Sequence, residues 1–208
     1  VGGNDGLMAY RGKRHFDRTR EPRGEQAAAG EAPCFVVQIH DASTLHFDFR
    51  LEVDGVLKSW SVPKGPSTDP HDKRLAMPTE DHPLEYRTFE GVIPRGEYGG
   101  GTVIVWDEGT YRPLVRKKKG RTLSFGQSLE DGHASFWLDG RKLRGGYALT
   151  RFRGGKDSGA REAWLLVKEK DDRAGRGGTP DPWRARSVHS GRTLKQVAAE
   201  EAAKGDEA

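Results

Sequence analysis

Between positions 45 and 53 the chain reads Leu-His-Phe-Asp-Phe-Arg-Leu-Glu-Val, nine residues in which apolar and polar side chains alternate without a fault. A period of two fits a pleated strand, which lines Leu45, Phe47, Phe49, Leu51 and Val53 along one face; a helix would scatter them around its axis. The apolar face must be buried, so the fold has to contain a β-layer over a core. The other face carries His46, Asp48, Arg50 and Glu52. A face that merely meets water is ordinarily filled with Lys, Thr, Ser and Glu, so an imidazole, a carboxylate and a guanidinium in succession demand a chemical reason.

Residues 34–40 (Cys-Phe-Val-Val-Gln-Ile-His) form a second apolar-rich run just before it, and the polar turn between them predicts a β-hairpin. If partner numbers sum to 86, His40 lies opposite His46 and Gln38 opposite Asp48 on one face. Two imidazoles and a carboxylate then form a three-ligand set with positions left for water and substrate, as a catalytic metal requires. A hydrogen-bonded polar cluster without metal is the competing reading. Donor type leaves the ion open, since imidazole suits Zn or Fe and carboxylate suits Mn or Mg. Arg50, one strand repeat beyond Asp48, matches phosphate in shape and charge; a salt bridge to Asp48 or Glu52 is its ordinary alternative.

A second group, Glu80-Asp-His82-Pro-Leu-Glu-Tyr86, places Pro83 where it pushes His82 out of helical geometry, so that a turn brings His82 and Tyr86 together. A protonated His82 would donate to a phosphate oxygen and give an acid limb in the pH profile. Lys64 and Arg74 are further candidate phosphate contacts on the intervening loops.

Further strands are predicted at 56–62, 74–78, 102–106, 121–125, 133–138, 146–152 and 163–168, divided by Gly, Pro and Asp clusters. About nine short strands and 28 glycines imply a mainly β protein, a compact antiparallel barrel or sandwich. Helical signal concentrates at 194–204 after the capping residue Thr193. The expected organisation is an N-terminal arm over 1–33, extended across the domain, a β-domain over 34–187, and a helical tail over 188–208 that looks peripheral and frays at 205–208. Residues 170–187 are read as a surface wrap.

Lone Cys34 rules out an internal disulfide and a thiolate metal site, and its ordinary role is a small buried hydrophobe. No run of 18 apolar residues exists, which argues against a spanning helix and for a cytoplasmic location. The 35 Lys and Arg against 31 Asp and Glu permit polyanion binding without proving it.

Taken with the motifs at Tyr10 to Phe16, Gln38-Ile-His40, Leu45 to Glu52, Trp60-Ser-Val-Pro-Lys-Gly-Pro, Glu80 to Tyr86, Ile93-Pro-Arg-Gly-Glu-Tyr-Gly-Gly-Gly and Val105-Trp-Asp-Glu-Gly-Thr-Tyr, the chain resembles the 3′-phosphoesterase domain of bacterial DNA ligase D and its free-standing relatives. The resemblance implies a β-barrel enzyme using Mn²⁺, with Zn²⁺ or another divalent ion as a substitute. It also implies removal of a 3′-terminal ribonucleoside and then of the 3′-phosphate, leaving a 3′-OH. Nucleic acid 3′ ends would be the substrate, with a Ku-like protein and a ligase or polymerase as partners and no membrane. By the same resemblance His40, His46 and Asp48 would hold the metal and Arg50, His82 and Tyr86 the phosphate. Gln38, Glu80, Arg14 and Glu21 would support them. One departure stands in the arm: His15 occupies a position where the family usually has Asp.

Two readings of other classes compete. A two-His, one-carboxylate Fe(II) oxygenase would use His46 and Asp48 with a ligand far downstream, for instance His133, and would dispense with His40. A non-catalytic DNA-end-binding module would rely on the basic run Arg116-Lys-Lys-Lys119 and the basic arm, a run that by default is a solvated loop. His71, His133 and His189 have no role in the preferred reading.

Overall fold

The computed structural model describes residues 5–24, 32–154 and 159–206. Strands dominate, at 42%: β1 Cys34–Asp41, β2 Leu45–Val53, β3 Val56–Val62, β4 Arg74–Pro83, β5 Gly91–Ile93, β6 Gly101–Pro113, β7 Arg116–Lys118, β8 Arg121–Leu123, β9 His133–Gly140, β10 Arg144–Arg153 and β11 Ala163–Lys168. Among the described residues three α-helices accompany them, α1 Met8–Gly12, α2 Phe125–Glu130 and α3 Leu194–Asp206, with 3-10 turns at Asp5–Leu7 and Leu84–Thr88. The strand order β1-β2-β3-β4-β11-β10-β9-β6 returns to β1 through the β1–β6 pairing, and every pairing is antiparallel. Eight strands therefore close a barrel with no free edge, while β5 adds to the flank of β6 and β7–β8 form a separate hairpin.

The β1–β2 register pairs His40 with His46 and Gln38 with Asp48, the spacing expected from the sequence. Between β2 and β3 the turn is Asp54-Gly55, both at positive φ (50° and 82°), the two-residue hairpin geometry that Asp-Gly favours. Phe35, Val37 and Ile39 of β1 and Phe47, Phe49, Leu51 and Val53 of β2 join the main core with Trp60, Trp106, Phe136 and Trp164 from other strands. Phe49 and Leu51 have no exposed surface, and burial of each contributes roughly 1.5–3 kcal/mol. A smaller cluster of Tyr10, Val36, Leu57, Leu84, Tyr86, Phe89, Val103 and Val105 lies against the opposite face of β1 and β2. It belongs to the same side as His40, His46, Asp48 and Arg50, so the reactive face is roofed by the N-terminal arm and the segment after β4.

Several local expectations need correction. The arm is not simply extended: α1 forms there and Tyr10 is fully buried. Residues 1–4 and 25–31 of the arm lie outside the described residues. The strand expected at 121–125 ends at Leu123, because Ser124 and Gln127 form a reciprocal capping box that starts α2. α3 lies on the outside of the barrel against β5 and β6, yet Leu194 and Val197 are buried in the main core cluster, so the tail is packed. The expected fraying at 205–208 falls partly on 207 and 208, outside the described residues. No helix among the described residues is long and apolar enough to cross a membrane.

Candidate active site

Strand pleating brings the three sequence-predicted ligands together. Asp48 Oδ2 lies 3.6 Å from His40 Nδ1 and 3.4 Å from His46 Nε2, and one donor atom from each of the three residues falls within 4.8 Å of the others. Backbone carbonyls set both imidazoles. His40 Nε2 donates to Gly99 O at 2.6 Å and His46 Nδ1 donates to Thr44 O at 2.8 Å. A carbonyl can only accept, so in each neutral ring the nitrogen facing Asp48 carries a lone pair. Two lone pairs and a carboxylate converging on one point repel unless a proton or cation lies between them. The same physics acts on the titrations. Burial would depress the His46 imidazole, but Asp48 and the Thr44 carbonyl outweigh it and raise it. Burial would raise the Asp48 carboxyl, but Arg50 and the two imidazoles hold it well below the ordinary range. The donor set, with ring orientation fixed by carbonyls behind it, fits a divalent metal.

Beside this set Arg50 is 3% exposed. Its Nε donates to Gln38 Oε1 at 2.8 Å, Nη2 lies 3.4 Å from Asp48 Oδ2, and the guanidinium carbon sits 5.0 Å from the Tyr86 ring centroid. Nη1 is buried with no hydrogen-bond partner among the described residues. A buried, unsatisfied cationic donor is costly and suits an incoming anion. Gln38 is itself fixed, its amide nitrogen donating to the carbonyls of Tyr86 and Phe89 at 2.9 and 3.0 Å.

β4 runs on to Pro83 and carries His82; a single 3-10 turn over Leu84–Thr88 then carries Tyr86 back, leaving the two rings 4.7 Å apart. His82 Nδ1 donates to Glu80 O at 2.9 Å, and its Nε2 accepts from Arg14 Nη2 at 3.4 Å. Burial, then Arg50 and Arg14, push the His82 imidazole well below its ordinary value. The protonated His82 expected from the sequence is thus corrected to a neutral one. Burial likewise raises the Tyr86 phenol well above its usual value, so it stays a hydroxyl.

The arm locks onto this cluster through Arg14. Its Nε bonds Glu21 at 2.7 Å, Nη1 bonds Tyr10 O at 2.9 Å and Glu80 at 3.2 Å, and its guanidinium carbon lies 3.8 Å from the Tyr10 ring centroid. Side chains of Arg14, Glu21 and Glu80 are all at most 5% exposed. His15 instead lies at the surface, paired with Glu97 at 2.9 Å.

With that geometry in place, comparison with known proteins is direct. A model of the DNA ligase D 3′-phosphoesterase domain matches residues 38–151, more than half of the chain. The chain belongs to this family. Over 170 residues, 81% of the chain, it is 50% identical to the multifunctional non-homologous end joining protein LigD of Pseudomonas aeruginosa and 44% identical to the multifunctional non-homologous end joining DNA repair protein LigD of Mycobacterium tuberculosis. The Mycolicibacterium smegmatis LigD protein is 39% identical over 175 residues. The alignments cover only 19%, 20% and 22% of those proteins, so the phosphoesterase-family chain spans about a fifth of their length.

Not every candidate residue joins the cluster. Lys64 and Arg74 share a different cavity of about 410 Å³ with Pro63, Asp72, Lys73 and Leu75. Arg74 Nη2 reaches Asp72 and Thr179, each at 3.4 Å. His133, the downstream ligand an oxygenase would need, bonds Thr150 at 2.8 Å on the β9–β10 pair and takes no part in the His-His-Asp group. Of the basic run, Arg116 and Lys118 both pair with the one Asp131 carboxylate, which offsets half of their charge.

Two features of this phosphoesterase-family domain went unassigned in the sequence. Gly99, whose carbonyl orients His40, belongs to the loop Ile93-Pro-Arg-Gly-Glu-Tyr-Gly-Gly-Gly, and three consecutive glycines were the available signal. A Cβ on Gly101 would stand 2.0 Å from Asp41 O, so only glycine lets this loop close against the β1–β2 turn. Asp107, fully buried, accepts backbone N–H groups from Arg141, Lys142 and Leu143 and so closes the β9–β10 turn.

Proposed function

We propose that this domain is a metal-dependent phosphoesterase that heals nucleic acid 3′ ends, removing a 3′-terminal ribonucleoside and a 3′-phosphate to leave a 3′-OH. One observation carries the reading: a His-His-Asp donor set shares its strand face with Arg50, whose buried Nη1 has no partner among the described residues. His40, His46 and Asp48 hold the ion, with Mn²⁺ the physiological choice and Zn²⁺ a substitute. When bound, the metal supplies Lewis-acid polarisation of phosphate oxygens and lowers the cost of negative charge there. Arg50 binds a non-bridging oxygen through Nη1, Nη2 being held toward Asp48, and Gln38 keeps its fork aimed. The un-ionised Tyr86 hydroxyl donates to the same phosphate, while the neutral His82 ring, its Nδ1–H given to the Glu80 carbonyl and its Nε2 taken by Arg14, packs against Tyr86 beside it. Preorganised donors of this kind contribute roughly 3–4 kcal/mol each to transition-state stabilisation. Lys64 and Arg74 contact the strand farther from the scissile phosphate. Arg14, Glu21 and Glu80 are positioning residues that hold the arm over the site.

The domain works in the cytoplasm within non-homologous end joining, alongside a Ku-like end binder and a ligase or polymerase. Support comes from family membership and from relatives that are non-homologous end joining proteins. The oxygenase reading loses its downstream ligand at His133, and the pure binding-module reading gives no reason for the convergent donor set.

The test is incubation of primer-templates bearing a 3′-phosphate or a single 3′-ribonucleotide with Mn²⁺, Zn²⁺ or chelator, comparing wild type with His40→Ala. A 3′-OH product that needs metal and His40 supports the reading. An intact 3′-phosphate with bound DNA would leave the binding-module reading standing instead.

A further inference from the structure

Tyr98 is an exposed aromatic at the rim of the site, and nothing in the mechanism above uses it. It is 46% exposed although its loop is pinned at both ends. Glu97 N bonds Pro94 O and Gly100 N bonds Glu97 O, so two successive turns hold residues 94–100, and within them Gly99, which follows Tyr98, accepts through its carbonyl from the metal-ligand candidate His40. From the arm, Lys13 Nζ lies 4.7 Å from the Tyr98 ring centroid and 3.3 Å from its hydroxyl, and the Arg14 guanidinium carbon lies 5.4 Å from the ring. Arg14 in turn touches His82. The ring is thus braced by two cations, one residue from the glycine that orients His40 and one contact from His82, while still open to solvent.

A half-exposed ring is ordinary by itself, but one held by a pinned loop beside a phosphate site presents a flat apolar face where a flat partner would arrive. In a nucleic acid end the group next to the 3′-phosphate is the terminal sugar with its base, and every base offers a π-face. We propose that Tyr98 stacks on the nucleobase of the 3′-terminal nucleotide, with Lys13 holding the ring in place, so that the site grips an end by its last base without reading sequence. This rests on the 3′-end reading given above, which supplies the nucleotide.

The test uses the full domain as Tyr98→Phe, Tyr98→Trp, Tyr98→Leu and Tyr98→Ala, on strands ending in a 3′-phosphate with either a base or an abasic sugar at the last position. Loss of one stacking partner raises KM for base-bearing ends by about 5- to 150-fold in the Leu and Ala variants. Kcat should stay near wild type, abasic ends should be unaffected, and Phe and Trp should retain wild-type KM. Equal loss on both kinds of end would overturn the proposal, since the ring would then act only through the loop that sets His40; so would an unchanged KM in Leu and Ala. If wild type turns over no strand, the 3′-end reading fails, but a strand ending in 2-aminopurine, mixed with protein in chelator, still decides about Tyr98. Quenching by wild type that vanishes in Tyr98→Leu supports stacking, and no quenching by wild type overturns it.

Discussion

Arg50 donates its Nε to the side-chain oxygen of Gln38 at 2.8 Å, across the β1–β2 pair and wholly out of solvent. The bond fixes the rotation of the guanidinium, so Nη2 faces Asp48 and Nη1 is left for a ligand. Replacing Gln38 by Leu strands Arg50 Nε and the carbonyls of Tyr86 and Phe89. Each buried unsatisfied group costs roughly 1–3 kcal/mol, so with three of them a loss of at least about 3 kcal/mol is expected by urea denaturation. Activity on a 3′-phosphate strand should fall about 100-fold because the fork is no longer held. Gln38→Glu, which keeps an acceptor for Arg50, should retain more activity than Gln38→Leu; the opposite order would remove Gln38 from this role.

The convergent lone pairs of His40 and His46 on Asp48 predict metal-linked stability. Mn²⁺ at about 100 times its Kd adds about 2.7 kcal/mol, and for a chain of this size that raises Tm by about 5–10 °C. Chelator should reverse the rise. His40→Ala, His46→Ala and Asp48→Asn should each abolish most of it, whereas His133→Ala, a residue committed to Thr150, should keep it all. A thermal shift that depends on His133 and ignores His40 would revive the oxygenase arrangement.

His82 should be neutral at pH 7. Burial and two flanking guanidiniums push its folded value well below that of a free histidine. The unfolded chain therefore binds a proton near pH 6.5 that the folded protein refuses, and stability contributed by neutral His82 declines as pH falls from there toward the folded value. An NMR titration, with the resonance assigned through His82→Gln, should show no movement between pH 6 and 7. A midpoint near 6.5 would mean that Arg14 and Arg50 do not enclose the ring.

Much of this centre was legible in the sequence because two strong periodic runs sit a short turn apart. Alternation assigned His46, Asp48 and Arg50 to one face, and the turn set the partner of each. What escaped was set by distant contacts. β4 continues through Thr79, Glu80 and Asp81, a polar stretch with no strand pattern of its own, because the neighbouring strand β3 imposes pairing on part of it. β6 extends past Asp107 and Glu108 for the same reason, with β1 and β9 on either side. α2 did leave a local mark, the Ser124–Gln127 box, but strand-like residues just before it masked the signal. The neutral state of His82 had no local cause: it comes first from burial, against residues such as Tyr10, and then from Arg50 and Arg14, the last 68 positions upstream.

That long-range bond makes Arg14 the most consequential residue of the arm. It is enclosed with Glu21 and Glu80, and removing it alone leaves the fully buried Glu21 carboxylate without its cation. Arg14→Ala should therefore cost about 3–5 kcal/mol in urea denaturation, while Arg14→Met combined with Glu21→Gln, which orphans no charge there, should recover part of the loss. Acid supplies a second check. Burial would raise the Glu80 carboxyl, but a backbone N–H, Arg14 and Lys13 outweigh it and the net direction is downward. A depressed folded value means that stabilisation is complete above the unfolded value, near pH 4.3, and drains away as pH falls through the folded one. The stability gap between wild type and Glu80→Gln should hence be flat above about pH 5.5 and narrow below about pH 4. A gap that widens on acidification would show that Glu80 is not held ionised by the arm, and the arm's grip on the site would need another source.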